Sequence, residues 1–168
     1  MPMLVLTLVG DDRAGLVAAL AEVVSAHGGN WERSELAELD GTFAGIVEVW
    51  VPTDQQAALA AALDDLDGLL KITAHPGSAV PATNWPLLTM TVLGNDRAGI
   101  VREISAALRG HALSIEHLSS RTTDAPMTGG RLFEANVVAR IPADADLAAI
   151  RADLEALAAE IQVDLKLD

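Results

Sequence analysis

Residues 6–20 read LTLVGDDRAGLVAAL, and residues 90–104 read MTVLGNDRAGIVREI. The two stretches lie 84 positions apart, half of the 168-residue chain, and seven of their fifteen positions are identical. The likeness continues at an offset of 90, with Phe43 opposite Phe133 and Pro52 opposite Pro142, so the second copy contains six extra residues. Self-similarity at a fixed spacing indicates an internal repeat. The chain is therefore predicted to consist of two copies of one unit.

Each copy has the same predicted order of elements. Apolar residues alternate over 4–9 and 88–93, which predicts a strand that is buried mainly on one face. The apolar positions of 16–24 and 100–108 then recur at helical spacing. Two strands, a second helix and a last strand follow, so each copy is predicted as βαββαβ. The fold class is α+β, with two ferredoxin-like units whose helices cover one face of an antiparallel sheet.

The predicted boundaries follow from turn and cap residues. The segment 75–85, HPGSAVPATNW, has the Pro and Gly content of a linker. We therefore predict a first unit over 1–76, a linker over 77–85 and a second unit over 86–168. Asp40-Gly41 predicts a hairpin turn, and the extra residues of copy two are placed in a loop around Thr122–Gly130. Aspartates are predicted to begin the helices: Asp12 and Asp96 the first of each unit, Asp54 and Asp144 the second.

The later strands of the two units are predicted at about 30–38 and 113–122, then Phe43–Val51 and Leu132–Ile141, then Leu69–Ala74 and Ile161–Leu167. In the third strand Phe43, Val47 and Val49 are predicted to face the helices, while Ile46 and Trp50 face the other way. Trp31 and Trp50 could belong to the core or to an interface, and a surface between repeats or between copies is favoured. A homodimer is expected because the open sheet face would otherwise expose an apolar patch.

Composition excludes several classes of function. Eleven basic and 24 acidic residues give a net charge of −13, and aromatic residues are only 3% of the chain. Such a chain is a poor direct partner for nucleic acid or anionic membranes. The absence of cysteine excludes thiol nucleophiles, disulfides and Cys-based zinc or iron–sulfur sites. The four histidines show no metal-ligand spacing, and no nucleophile–base pair stands out. We predict no metal, no cofactor, no catalytic residue and no targeting segment, hence a cytoplasmic non-enzyme.

The repeated loop carries a family resemblance. It reads Gly-(Asp/Asn)-Asp-Arg-Ala-Gly-(Leu/Ile)-Val between the first strand and first helix, and Gly29-Asn30-Trp31 or Leu113-Ser114-Ile115 follows about fifteen residues later. This pattern resembles the ACT domain, with Ala14 and Ala98 where proline is common. The resemblance covers both halves of the chain. Two such units, with an extended hairpin after residues 118–122, are similar to the glycine cleavage system transcriptional repressor family.

The resemblance implies a binding site for an amino acid or similar small ligand where two ACT units meet, near the strand–helix loop of one unit and the second strand of the other. Carried over by position, the loop residues are Asp12, Arg13 and Gly15 in copy one, and Asp96, Arg97 and Gly99 in copy two. The second-strand residues are Asn30 and Ser114, and Ser114 departs from the common Asn. A carboxylate can pair with the ligand's ammonium group. Backbone amides at a helix start suit the ligand's carboxylate.

Simpler interpretations of the same residues stay open at this stage. Asp12 and Asp96 could serve only as helix caps. Gly15 and Gly99 could allow close helix–sheet packing, with ligand contact secondary. Arg13 and Arg97 could form surface ion pairs. His27 and His111 are predicted at helix C-termini, where a cation is favoured without any metal.

Two functions fit these expectations. The chain could be a stand-alone amino-acid sensor that modulates a transcription regulator through protein contacts, without itself touching DNA. It could instead be a regulatory subunit docked on an amino-acid biosynthetic enzyme. The identity of the protein that co-purifies would separate the two.

Overall fold

The computed structural model describes residues 3–77, 85–125, 130–161 and 163–167, with side chains through residue 160. The chain divides into two compact units, Met1–Pro81 and Ala82–Asp168. Most of the predicted linker, and the tip of the predicted loop of copy two, lie outside the described residues.

The first unit contains four strands and two α-helices. In chain order they are β1 (Met3–Asp11), α1 (Leu16–Ala26), β2 (Asn30–Leu39), β3 (Thr42–Trp50), α2 (Gln56–Asp64) and β4 (Lys71–Pro76). All strand pairs are antiparallel, and the sheet order is β2-β3-β1-β4. The first strand of the chain is therefore a central strand of the sheet.

The second unit repeats this arrangement. Its elements are β5 (Leu87–Asn95), α3 (Ile100–Gly110), β6 (Ser114–Asp124), β7 (Arg131–Arg140), α4 (Leu147–Ile161) and β8 (Val163–Leu167). Its sheet is again antiparallel, in the order β6-β7-β5-β8. The predicted βαββαβ order is confirmed in both units.

Each unit has its own core between one sheet face and its helices. In the first unit Leu6 and Leu8 of β1 and Val47 and Val49 of β3 are buried against the helices. The helix stripe is narrower than predicted, because Val17 and Val101 are 43% and 42% exposed. The buried helix residues recur at i, i+4 and i+8 in both units: Leu16, Leu20 and Val24, then Ile100, Ile104 and Leu108. The two phenylalanines also face this side: Phe43 packs against the first core and Phe133 lies within the second.

The predicted caps are wrong for the first helix of each unit and also for the second. Helix α1 begins after Gly15 and α3 after Gly99, and no side chain caps either helix. Asp12 and Asp96 each lie three residues before the glycine that occupies the N-cap position. At α4 the cap is Asp146 rather than Asp144, since its Oδ1 accepts hydrogen bonds from the Ala148 and Ala149 amides at 2.9 and 3.1 Å. Asp54 belongs to a short 3₁₀ turn, Thr53–Gln55, that precedes α2.

The strand boundaries differ from the prediction mainly at the end of the first unit. Strand β4 runs over Lys71–Pro76 rather than Leu69–Ala74, so His75 and Pro76 belong to the sheet and not to the linker. The Asp40-Gly41 turn is confirmed, and both residues have positive φ, 50° and 78°.

The open face of the first sheet includes Ile46, which is 49% exposed. Of the two alternatives for Trp31 the core is the one observed, because this residue is partly buried and packs against the core of its own unit. Trp50 is on the open side and half-buried, and its indole Nε1 is buried without a hydrogen-bond partner in the described part of the chain.

Within the described ranges, no helix is both long enough and apolar enough to span a membrane.

Candidate functional site

The loop between the first strand and first helix has the same conformation in both units. Gly15 and Gly99 adopt left-handed backbone angles, with φ of 95° and 97°. The amide of Asp12 donates to the Gly41 carbonyl at 2.8 Å. The amide of Asp96 donates to the Arg131 carbonyl at the same distance. The repeated sequence therefore produces a repeated backbone geometry.

Glycine is needed at position 15 for its backbone angle and not for close packing. A Cβ built on Gly15 has no neighbour within 4 Å. Close approach instead requires glycine at Gly10, where a Cβ would lie 2.4 Å from the Leu69 carbonyl oxygen. The interpretation of Gly15 and Gly99 as sites of tight helix–sheet contact is therefore wrong.

A shallow depression of about 220 Å³ lies at the start of α1. Its lining contains Asp12, Arg13, Gly15, Leu16, Val17, Ala18 and Phe43. The Gly15 carbonyl accepts the first helical hydrogen bond, from the Ala19 amide at 2.9 Å. The preceding amides of a helix have no partner within it and carry its positive dipole end. The depression thus places an exposed carboxylate, that of Asp12, beside donors that suit an anion.

The two loop arginines have different partners. Arg13 donates from Nη2 to the Gly68 carbonyl at 2.5 Å, and so ties the loop to the turn that follows α2. Arg97 forms an ion pair with Glu103, with Nη2 and Oε2 2.5 Å apart. The ion-pair interpretation thus holds for Arg97 but not for Arg13.

The Arg97–Glu103 pair perturbs both groups. The hydrogen bond from Arg97 is the main reason that the pKa of Glu103 lies below its usual value. The same hydrogen bond raises the pKa of Arg97.

Asn30 lies far from the loop of its own unit. Asn30 is paired with Trp50, and Trp50 is paired with Met3 at the beginning of β1. Asp12 follows the other end of that strand, nine residues along. At about 3.3 Å per residue, nine residues of strand separate the two positions by about 30 Å.

The same separation holds in the second unit. Ser114 begins β6 and is paired with Arg140, which is paired in turn with Leu87 at the start of β5. Asp96 follows the opposite end of that strand. Each unit therefore brings together its three predicted loop residues, and leaves the predicted second-strand residue at the far end of the sheet.

The histidines have structural partners. His27 and His111 are the C-cap residues of α1 and α3, as predicted. The His27 Nδ1 is 2.8 Å from the Val23 carbonyl, and the His111 Nε2 is 2.9 Å from Asp153 Oδ2. In the part of the chain that the structure describes, no group of three or more His, Asp or Glu side chains could hold a metal ion.

A second, polar depression of about 340 Å³ lies on the second sheet. Its charged groups already pair with each other, since Arg121 Nε donates to Glu134 Oε2 at 2.8 Å. Nearby, Thr91 donates to Asn136 Oδ1 at 3.1 Å. These contacts account for Arg121, Glu134 and Asn136 without a ligand.

Residues 2–75 match the family model of the ACT domain. The first unit is an ACT domain. The second unit has the same element order and sheet topology, so the expected tandem ACT architecture is confirmed.

Two relatives of the same name match nearly the whole chain. The glycine cleavage system transcriptional repressor of Escherichia coli strain K12 is 29% identical over 165 residues, a match that covers 94% of this chain and 85% of that protein. The Shigella flexneri protein of the same name matches equally well. The chain is thus a regulatory ACT-domain protein related to this repressor.

The solved structures agree on the fold. A protein of unknown function from Galdieria sulphuraria is 27% identical with a TM-score of 0.83, and the match covers 99% of this chain and 97% of that one. A protein provisionally assigned as a glycine cleavage system transcriptional repressor has a TM-score of 0.74 at 19% identity, covering 99% and 96%.

The sequence did not predict two residues that lie beside the β1–α1 and β5–α3 loops. Phe43 lines the depression, although it was assigned only to the core. Glu103 contacts the second loop through Arg97. The signal was present in the repeat itself, because Glu103 occupies the position of Ala19 in an otherwise similar stretch.

Proposed function

We propose that this protein is a non-catalytic, cytoplasmic regulator that binds an amino acid at its β1–α1 loop and acts on a transcription regulator through protein contacts. The observation that carries the proposal is the loop of the first unit. It places the Asp12 carboxylate and the uncapped start of α1 around one open depression.

The chemistry of this loop matches a zwitterion. The Asp12 carboxylate pairs with an ammonium group, and the charge on both partners strengthens the hydrogen bonds. The amides at the start of α1 donate hydrogen bonds to the ligand's carboxylate, whose negative charge the helix dipole also favours. A volume of about 220 Å³ suits a small amino acid rather than a nucleotide. Asn30 takes no part with its own unit's loop, because the sheet separates the two.

The proposed action through another protein is inferred from the net charge of the chain and from its relatives. A net charge of −13 opposes direct contact with the phosphate backbone of DNA. The Escherichia coli relative is named as a transcriptional repressor of the glycine cleavage system. A repressor of this acidity would act by engaging another protein, and glycine is the first ligand to test.

A thermal-shift screen of the proteinogenic amino acids, beginning with glycine, tests the ligand. Saturation at about 100 times the dissociation constant should add about 2.7 kcal/mol to the stability of the bound form. For a chain of this size that is a rise in Tm of roughly 5–11 °C. No rise with any amino acid at millimolar concentration would contradict the proposed ligand class.

Affinity purification from the native host tests which kind of protein the chain acts on. Recovery of a DNA-binding regulator, in an amount that depends on the identified amino acid, supports the proposed route. Recovery of a biosynthetic enzyme in its place would favour the regulatory-subunit function.

A further inference from the structure

The two ACT loops share a backbone but differ in what lies over the helix start. Positions 18 and 19 of the first unit are alanine, and the equivalent positions of the second unit are Arg102 and Glu103. These residues occupy the first turn of their helices. The difference therefore falls at the same place as the proposed ligand's carboxylate.

Glu103 folds back over its own loop. Its Oε1 lies 3.2 Å from a Cβ built on Gly99, whereas the same position on Gly15 is open to 4 Å. Arg97 holds the carboxylate there through two contacts, of 2.5 and 3.2 Å to its two oxygens. Arg102 approaches Glu103 Oε1 at 3.6 Å from the other side.

The residues behind the loops show the same asymmetry. Phe43 is only partly buried and lines the depression of the first unit. Phe133, its equivalent, is 7% exposed. The second loop is therefore more closed than the first, because Glu103 lies over it and Phe133 is more buried than Phe43.

We propose that Glu103, held over Gly99 by Arg97, closes the second loop to an external carboxylate. This inference rests on the proposed function, and it adds that each chain binds one amino acid, at Asp12–Ala18 of the first unit. The charge of Glu103 is favourable where it lies, because a negative group is stabilised at a helix N-terminus.

The second loop stays closed because the Glu103 carboxylate has a high effective concentration beside it. A carboxylate tethered within one helical turn competes with free ligand at an effective concentration of millimolar or above. An external amino acid must displace Glu103 from Arg97 before it can reach the amides of α3. No such displacement is needed in the first unit, where Arg13 bonds to the Gly68 carbonyl and residues 18 and 19 lack a charge.

The test uses the full chain and amide NMR signals near Gly15 and Gly99, during titration with glycine and then with each other proteinogenic amino acid. In the unmodified protein the ligand should move the signals near Gly15 and leave those near Gly99 in place. Glu103→Ala should allow the second loop to respond, with affinity for the ligand raised about tenfold, or about 1.4 kcal/mol. Glu155→Ala is the matched control, because it removes an exposed carboxylate of the same unit that pairs with Arg151 and not with Arg97.

Placing the residues of the second unit in the first unit gives an independent test. Ala18→Arg with Ala19→Glu should close the first loop and abolish the response near Gly15. Equal responses of both loops in the unmodified protein would overturn the inference while leaving the proposed function intact. A second loop that stays silent in Glu103→Ala while the first responds would also overturn it. Silence of both loops toward every amino acid, in every variant, would overturn the proposed function and this inference together.

Discussion

Asp12 and Asn30 lie at opposite ends of the same sheet, because β1 begins beside Trp50 and Asn30 and ends at Asp11. The loop and the second-strand residue of a single unit are thus about 30 Å apart along the strands, so they cannot contact the same ligand. The loop residues must supply both charges for the ligand without help from Asn30 of the same unit. The loop is therefore the place where mutations should separate binding from stability.

Asp12→Asn should change the free energy of unfolding of the ligand-free protein by no more than about 0.5 kcal/mol, since Asp12 is exposed and caps no helix. The same change should shrink the ligand-induced rise in Tm, because the partner of the ammonium group is lost. Asp96→Asn is the matched control and should leave that rise intact. A full rise in the Asp12→Asn protein would show that the ligand binds elsewhere. Differential scanning fluorimetry of the three proteins is sufficient.

Gly15→Ala should destabilise the protein by about 1–2 kcal/mol, because alanine is strained at a φ of 95° even though its Cβ has room. The expected fall in Tm is roughly 2–8 °C. Gly110→Ala is the control, at the end of α3, where a Cβ also has no neighbour within 4 Å and φ is not positive. That change should be neutral or stabilising. Equal effects at the two glycines would mean that the backbone angle at Gly15 is not what requires glycine.

Asp146→Ala should lower stability by about 1 kcal/mol, since it removes the side chain that bonds two free amides of α4. Asp144→Ala, two residues earlier and also exposed, should have little effect. Chemical denaturation of both variants checks the assignment, and a larger loss at Asp144 would reverse it.

Repetition made the fold predictable, and local backbone geometry explains the errors. Alternating strands and helical stripes gave the βαββαβ order twice, and only one face of each element had to be buried. The caps were misassigned because Asp12 precedes a glycine whose left-handed angle starts the helix three residues later. Nothing in residue type distinguishes Asp144 from Asp146. Which one caps α4 depends on the length of the turn after β7.

The site was predicted less completely than the fold. The loop residues adjoin each other in sequence, so their proximity follows from the motif. The distance between Asp12 and Asn30 depends on which end of β1 faces which end of β2, and that requires the sheet order. Glu103 was overlooked because a charged residue on a helix is usually solvated, and its contact with Arg97 depends on the loop geometry.

Glu103 should titrate below its usual pKa, and Arg97→Ala should return that pKa toward 4.5. A depressed pKa in the folded state means that the charged form favours folding. The contribution is present above the unfolded value near 4.5 and is lost as the pH falls through the lower folded value. Glu103→Gln should therefore lower Tm at neutral pH, and the difference from the unmodified protein should vanish in acid. Carboxyl NMR titration gives the pKa directly, and an unshifted value in the unmodified protein would contradict the pairing.

The open face of the first sheet should support self-association. Leu39, Ile46 and Val9 are 75%, 49% and 43% exposed, which leaves apolar surface uncovered in one unit. Light scattering should give a mass above the 17.5 kDa of one chain, and Ile46→Glu should shift it toward the monomer. A mass of 17.5 kDa at all concentrations would exclude the dimer.

The position of β1 also has a consequence for how the chain is made. The strand synthesised first must wait for its partner β4, which begins at Lys71, 60 residues after Asp11. At about 5–20 residues per second, that delay is roughly 3–12 s. Strand β5 pairs with β7 in the register that β1 uses with β3, since Gly10 is opposite Phe43 and Gly94 opposite Phe133. During that delay β1 is paired with β3 on one edge only, and its other edge is open to a strand of the second copy; the divergence between the repeats away from their loops acts against such misassembly.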